Sequence, residues 1–378
     1  MPHRNIPFLD LKKLHGSISS EIGQAIGTVL EHGQFIGGPE IAAFEKNFAK
    51  WVGPEMHAVG CGNGTDAIAI AVRALKIPKG SKAIVPAMTF VATVESLRNE
   101  GLQVELVDVD PNTCLMDLHQ LEAKMSEQVG LIVPVHLYGQ MCDMERVRKI
   151  ADQYGSRVLE DAAQAHGAQW NGKPVGHFGD IATLSFFPGK NLGAFGDAGG
   201  IISRNEALIS LCSALGKHGG LKKYEHDIVG FNSRLDTIQA AVLGVKLKYL
   251  SQWNEKRRQV AGWYREALEG VKGPILTEAH PKATHVYHLF VARAENRQGF
   301  MNFLGENGVS TGVHYPKAIH QLPAMKAEAF SKLKFPVAER FAADGVSLPM
   351  CPTFEQKDVQ YICEKIQEYF QHEQVLCA

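Results

Sequence analysis

The chain has 378 residues, 45% hydrophobic and 21% charged, with a formal net charge of -1; that length suits one large domain plus a smaller one. The balance is ordinary for a soluble globular protein, and without a long run of one sign it provides no basic face for nucleic acid or an anionic membrane. No apolar stretch is long enough to span a bilayer, Met1 to Phe8 lack a signal-peptide core, and the seven cysteines show no CxxC pair, so a reducing cytoplasm suits the chain better than a disulfide frame or zinc site.

Taken in order, Gly60-Cys61-Gly62-Asn63-Gly64-Thr65-Asp66 runs into a predicted helix from Ala67 to Leu75. Strand Lys82–Pro86 and helix Phe90–Asn99 follow, then strand Val104–Val109 and helix Asp117–Met125. Next come strand Leu131–His136, helix Asp143–Tyr154, and strands Arg157–Asp161 and Ile181–Phe187. Such alternation predicts an α/β fold, with a mostly parallel sheet sandwiched by helices. From Leu235 to Leu268 the pattern becomes one long charged amphipathic helix, with Ile238, Ala241, Val242, Val245, Leu247 and Leu250 spaced for burial. It reads as the bridge into a smaller α+β domain with strands Val286–Val291 and Val309–Val313 and a closing helix Lys357–Gln371. The expected division is 12–250 for the large domain and 251–378 for the small one, with segment 1–11 packing near the latter.

Asp161 and Lys190 fall just past two consecutive strands. A buried lysine can lose its proton and form a Schiff base with an aldehyde, and a carboxylate one strand away can keep a pyridinium nitrogen protonated. The pair therefore points to pyridoxal phosphate (PLP). Its phosphate has a place at the glycine-rich turn, where Thr65 can cap the helix and the N–H groups of Gly64, Thr65 and Asp66 can face an anion. The same residues fit the dinucleotide fingerprint G-x-G-x-x-A, although only His57-Ala58-Val59 precedes them and the next strand ends in Pro86 rather than an acid. Each residue also has a plainer reading: Lys190 solvated, Asp161 capping a turn, Ser185 bonded locally, Phe90 in the core. The glycines around Lys190 suit a backbone pressed close to a ligand. His280, His285 and His288 are the densest histidine group, but they run from loop into strand without Cys or carboxylate companions, so no metal site is expected.

The segments Gly62 to Ala67, Pro86 to Thr93, Pro134 to Gln140, Glu160 to Ala168, Ser185 to Gly200 and Asn232 to Asp236 resemble, in order and spacing, the DegT/DnrJ/EryC1/StrS family of sugar aminotransferases, which are fold-type-I PLP enzymes. The resemblance runs from Phe8 to about Phe354. It implies that Lys190 is the Schiff-base lysine and that Asp161 pairs with the pyridinium nitrogen. Phe90 would stack on the ring, Gln164 would lie near its phenolic oxygen, and Gly64, Thr65 and Ser185 would hold the phosphate. Asn232 would reach the phosphate of the other subunit, making the active unit a homodimer with shared sites.

The same resemblance implies a ping-pong transfer through pyridoxamine phosphate, from an amino-acid donor such as L-glutamate to a nucleotide-linked keto sugar. Lys217, His218, Lys222, Lys223, Tyr224 and His226 form a plausible loop for the pyrophosphate, with a solvated loop as the plainer reading, and Tyr315 and His320 are further family-type contacts. Lys190-Asn191-Leu192-Gly193 resembles members acting on 3-keto sugars, favouring a dTDP-linked 3-keto-6-deoxyhexose. Gln34 to Glu40 resembles instead the branch acting on UDP-linked sugar acids, and 4-keto acceptors are a further alternative. The chain departs from common family forms at Cys61 and from Lys317 to Leu322. A dehydratase of the family would carry histidine at position 190. An NAD-dependent oxidoreductase lacks its ribose-binding acid here, and a non-catalytic binding protein would not need the Asp161–Lys190 pair.

Overall fold

A computed structural model describes residues 4–222 and 224–377, side chains beyond 372 excepted. The central sheet has seven strands: β1 (His57–Cys61), β2 (Lys82–Pro86), β3 (Gln103–Val107), β4 (Val129–Ile132), β5 (Arg157–Asp161), β6 (Ile181–Ser185) and β7 (Gly199–Ser203). Their order is β1-β7-β6-β5-β4-β2-β3. Only β7 opposes its neighbours; the pairs from β6 across to β3 are parallel. Every residue of β7 is buried, as are four of five in β2, β5 and β6. These short apolar runs are therefore covered on both faces.

Three N-terminal helices, Leu11–Gly16, Ser19–His32 and Pro39–Val52, add to the predicted set. Gly23 and Gly27 weaken the helical signal in the second, which stops where Gly33 turns left-handed at φ 67°. Pro39 opens the third, where its missing N–H has no intrahelical partner in any case.

The long helix Thr237–Ala267 has 31 residues and spans about 46 Å. Val242, Val245 and Trp253 pack on Leu14, Ile18 and Ile22, while Ala240, Leu243, Leu247 and Leu250 join the core around the sheet. Farther along, Val260, Ala261 and Tyr264 enter a second core with Phe290, Leu348, Ile362 and Phe370. That core covers an antiparallel sheet of Ile275–Leu276, Phe290–Arg293 and Gly345–Leu348.

Two predicted strands differ. Val286 and Leu289 give their N–H groups to the carbonyls of Gly139 and Tyr138, so the ladder begins only at Phe290. Val309–Val313 makes isolated bridges, Ile6 to Val309 and Gly312 to Ser347, and the third strand is Gly345–Leu348. Ala318 to Ala342 packs with the first core. Asp108, just past β3, holds that segment by accepting from the N–H groups of Val337 (3.0 Å) and Ala338 (2.8 Å). Among the described residues, no helix is long and apolar enough to cross a membrane.

Candidate active site

The carboxyl ends of β1, β2, β5 and β6 open on one cleft of about 580 Å³, where open α/β sheets place their ligands. Its first wall is the start of helix Gly64–Ala74. Asn63, rather than the expected Thr65, caps this helix: its Oδ1 accepts from Asp66 N at 2.8 Å and its carbonyl from Ala67 N at 3.1 Å. The N–H groups of Gly64 and Thr65 remain as the first-turn donors without an intrahelical acceptor, as at a helix-end anion site. A Cβ on Gly64 would lie 2.9 Å from that of Ser185, so glycine is what lets the Ser185 hydroxyl stand beside this helix end. The strand before the turn is an edge strand antiparallel to β7. A dinucleotide turn instead follows a parallel strand inside the sheet, which removes the Rossmann reading.

Asp161 ends β5 and is 5% exposed. Its Oδ2 accepts from Thr93 Oγ1 at 2.7 Å and its Oδ1 from Ala163 N at 3.1 Å. Thr93 is held in turn by Thr89, 2.9 Å away. The carboxylate is thus fixed in direction.

Lys190 follows β6 on a rigid loop. Its N–H donates to Phe187 O at 2.8 Å, and a Cβ on Gly193 would come within 2.3 Å of Pro188 O. From the long helix, Lys246 Nζ donates to Gly193 O and Asn254 Oδ1 accepts from Asn191 Nδ2 at 2.9 Å. Lys190 is half-buried, reached by solvent through the cleft mouth. Burial pushes its amine down to about 8, while the Asp161 charge pulls the other way. The glycines here serve close packing of protein on protein: Gly199 meets the Asn63 carbonyl, Gly200 the Phe186 ring, and Gly196 the Gln239 side chain.

Phe90, the N-cap residue of helix Val91–Asn99, is 52% exposed in the cleft, with its ring 5.4 Å from that of Tyr315. It presents an aromatic face instead of filling the core. Gln164 is oriented by the backbone: its Oε1 accepts from Tyr138 N (2.6 Å), so its Nε2 donates to Tyr315 Oη (3.1 Å). The Tyr315 hydroxyl hydrogen is thereby left for another acceptor. Burial first, and the Asp161 charge second, raise the Tyr315 phenol.

Two histidines that sequence reasoning did not assign also line the cleft, His288 and His314. Burial holds His288 well below its ordinary value and His314 at about 4, with the Lys190 charge adding in the same direction. Both are neutral at physiological pH. His314 directly precedes Tyr315 in the sequence, whereas His288 reaches the cleft through tertiary contact with Asn191.

The remaining expected residues lie elsewhere. Lys217, His218 and Tyr224 line a second hollow of about 560 Å³ with Lys222, His226 and Arg234. Asn232 is exposed and bridges to Lys217. Lys223 lies outside the described residues. His320 is buried, 3.0 Å from Glu339 and edge-on to Phe335, away from the cleft lining. Among the described residues, no three His, Cys, Asp or Glu gather closely enough to hold a metal.

The donors at Gly64 and Thr65, the aromatic face of Phe90, the carboxylate of Asp161 and the depressed amine of Lys190 fit a flat, anionic aldehyde such as PLP, and the fold is that of the type-I PLP enzymes. Comparison with known proteins carries this further. Residues 17–367 match the DegT/DnrJ/EryC1/StrS aminotransferase family, and the chain belongs to it. It is therefore a PLP-dependent aminotransferase. It is 41% identical to the dTDP-3-amino-3,6-dideoxy-alpha-D-galactopyranose transaminase of Aneurinibacillus thermoaerophilus, over 96% of this chain and 99% of that one. Identity is 38% with the UDP-2-acetamido-2-deoxy-3-oxo-D-glucuronate aminotransferase of Pseudomonas aeruginosa, over 95% and 98%. The solved structure of DesV from S. venezuelae in complex with a ketimine intermediate matches at TM-score 0.94 and 37% identity, covering 97% of this chain and 98% of that one.

Proposed function

We propose that this enzyme moves an amino group from L-glutamate to carbon 3 of a nucleotide-linked keto sugar, a dTDP-3-keto-6-deoxyhexose, in the cytoplasm. The observation that carries the reading is the Lys190 amine, pushed down to about 8, sharing one cleft with Asp161 and the open helix end at Gly64. PLP, when bound, supplies the carbonyl that carries nitrogen and the electron sink that makes proton loss possible. The protein does the rest. Gly64, Thr65 and Ser185 would anchor the cofactor's phosphate, Phe90 would offer an aromatic face to its ring, and Asp161, held by Thr93 and Ala163, would favour a proton on the ring nitrogen. Lys190 first holds the cofactor and then, once freed, takes the α-proton and returns it, a role worth ~10²–10⁴-fold. Amination at carbon 3 draws support from the two relatives, whose names place nitrogen or a keto group there on different nucleotides. Six buried, unpaired cysteines among the described residues suit a reducing compartment.

The working unit in this reading is a homodimer. Among the described residues, the cleft lining contains one lysine, no arginine and two aspartates, Asp161 and Asp197, yet it must receive a cofactor phosphate, a donor carboxylate and a pyrophosphate. The helix end at Gly64 and Thr65 serves the cofactor phosphate, but the donor carboxylate and the pyrophosphate are left short of cations that a second subunit would bring. The hollow with Lys217, Lys222 and Arg234, next to exposed Asn232, supplies that chemistry to the partner's cleft.

The test is to convert the enzyme to its pyridoxamine form with L-glutamate and offer keto sugars one at a time. The dTDP-linked 3-keto-6-deoxyhexose is expected to restore the PLP absorbance fastest. Faster restoration by a UDP-linked 3-keto sugar acid or by a 4-keto sugar would replace this acceptor assignment.

A further inference from the structure

His288 faces the cleft that holds Lys190, yet nothing in the reaction so far uses it. Its ring can be oriented without assuming any hydrogen position, because two backbone carbonyls settle the amides beside it. Asn254 Nδ2 donates to His166 O at 2.8 Å, so Asn254 presents its Oδ1 to Asn191. Asn191 Nδ2 donates to that Oδ1 at 2.9 Å and to Val286 O at 3.0 Å, which leaves Asn191 Oδ1, an acceptor, facing His288 Nδ1 at 3.3 Å. Since His288 is neutral, Nδ1 must carry its single ring hydrogen, and Nε2 is a bare lone pair. No protein donor among the described residues reaches that Nε2, and His288 lines the cleft with Lys190. Asn191 directly follows Lys190, so one network fixes the lysine loop and the ring.

We propose that His288 is a positioning residue for Lys190: Asn191 locks it as the Nδ1–H tautomer, and its Nε2 accepts a hydrogen from the Lys190 amine whenever that amine is free. The inference rests on the assignment of Lys190 as the reactive amine and is independent of which sugar is aminated. The contact keeps the freed amine inside the cleft with one hydrogen engaged, instead of letting the long side chain swing to solvent. Of the titratable groups around this amine, Asp161 at the end of β5 acts on it by charge, while His166 on the turn after β5, His288 and His314 feel the Lys190 charge, and Tyr315 lines the same cleft. All but Asp161 are neutral. His288 is therefore a dipolar acceptor whose loss removes stabilisation of the ammonium form.

Two readouts decide it, both on the full chain loaded with pyridoxamine phosphate, where Lys190 is free. In the first, selective ¹⁵N-histidine labelling reports the His288 tautomer, identified by the signal missing from His288→Gln. The Nδ1–H form is expected, and the Nε2–H form overturns the proposal with no variant needing to fold. In the second, ¹³C reductive methylation gives the Lys190 titration by NMR, assigned with Lys190→Ala. His288→Asn keeps a donor toward Asn191 and deletes the cleft-facing acceptor, so the Lys190 midpoint is expected to fall by about one unit. His288→Gln places a polar atom near the Nε2 position and is expected to hold the midpoint near wild type. An unchanged midpoint in His288→Asn, or equal shifts in both variants, would reduce His288 to packing and overturn the assignment. If Lys190→Ala still bound PLP covalently, the failure would belong to the function reading instead.

Discussion

Lys190 is reactive because of its surroundings. Burial brings its amine to about 8 from the ordinary 10.5, so part of the population is neutral near pH 7 and most of it above pH 8. Capture of PLP by the cofactor-free enzyme should therefore accelerate roughly tenfold per pH unit up to about 8 and then level off; a flat profile in stopped-flow absorbance would contradict the depressed amine. Lys190→Ala is expected to fold normally and lose both covalent PLP and turnover. At Asp161, substitution by Ala removes the acceptor of both the Thr93 hydroxyl and the Ala163 N–H, leaving Thr93 with Thr89 alone, and is expected to cost about 1–3 kcal/mol. It also removes the carboxylate proposed to pair with the ring nitrogen, so urea unfolding and PLP titration should both worsen, and unchanged values in either would count against that role. His166 is the opposite case. It is buried beside Phe186, neither ring nitrogen makes a well-formed hydrogen bond, and burial holds it at about 3 against a weak opposing interaction with the Ser185 backbone. An apolar ring of similar shape should be tolerated, so His166→Phe is expected to match or exceed the wild-type melting temperature.

At the scale of elements, the site is built where the reversed strand β7 meets the phosphate turn. A Cβ on Gly199 would come within 2.3 Å of the Asn63 carbonyl, and backbone cannot yield as a side-chain tip would. Gly199→Ala should push the start of helix Gly64–Ala74 off its position and weaken PLP affinity about tenfold or more while the amine chemistry survives, as a PLP titration would show; wild-type affinity would refute that placement. The parallel strands and the two ends of the site were legible because each strand is a short apolar run followed at once by Asp161 or Ser185. β7 was not, since Gly199-Gly200 at its start reads as loop chemistry, and Gly60 inside its partner β1 leaves only His57-Ala58-Val59 as a strand-like run. The strand at Phe290 was misplaced for a different reason. Val286-Tyr287-His288-Leu289 has strand composition, but the N–H groups of Val286 and Leu289 go to the Tyr138–Gly139 turn, a long-range contact that no local pattern records, and that of Tyr287 goes to His285 Nδ1. His288, read only as part of a histidine group unsuited to a metal, and His314 were likewise not assigned to the site, because only tertiary folding brings them to the cleft.

At the scale of the whole molecule, the long helix Thr237–Ala267 joins the two cores and also grips the lysine loop through Lys246 and Asn254. The imbalance of one lysine against two aspartates among the described cleft residues is what motivates the proposed homodimer. Asn232→Asp would set a negative charge against the phosphate in the neighbouring cleft and should inactivate the homodimer. Mixing it with Lys190→Ala should rebuild one complete cleft per hybrid, restoring roughly a quarter of wild-type activity for random pairing. No recovery on subunit exchange would confine Asn232 to its own subunit or remove it from the site.

The most direct test of the central claim is the absorption spectrum of the purified chain supplied with PLP, recorded before and after L-glutamate. The account predicts a yellow band that depends on Lys190 and bleaches as the donor's nitrogen passes to the cofactor. A protein that binds PLP without such a band, or one whose band persists unchanged in Lys190→Ala, would contradict it.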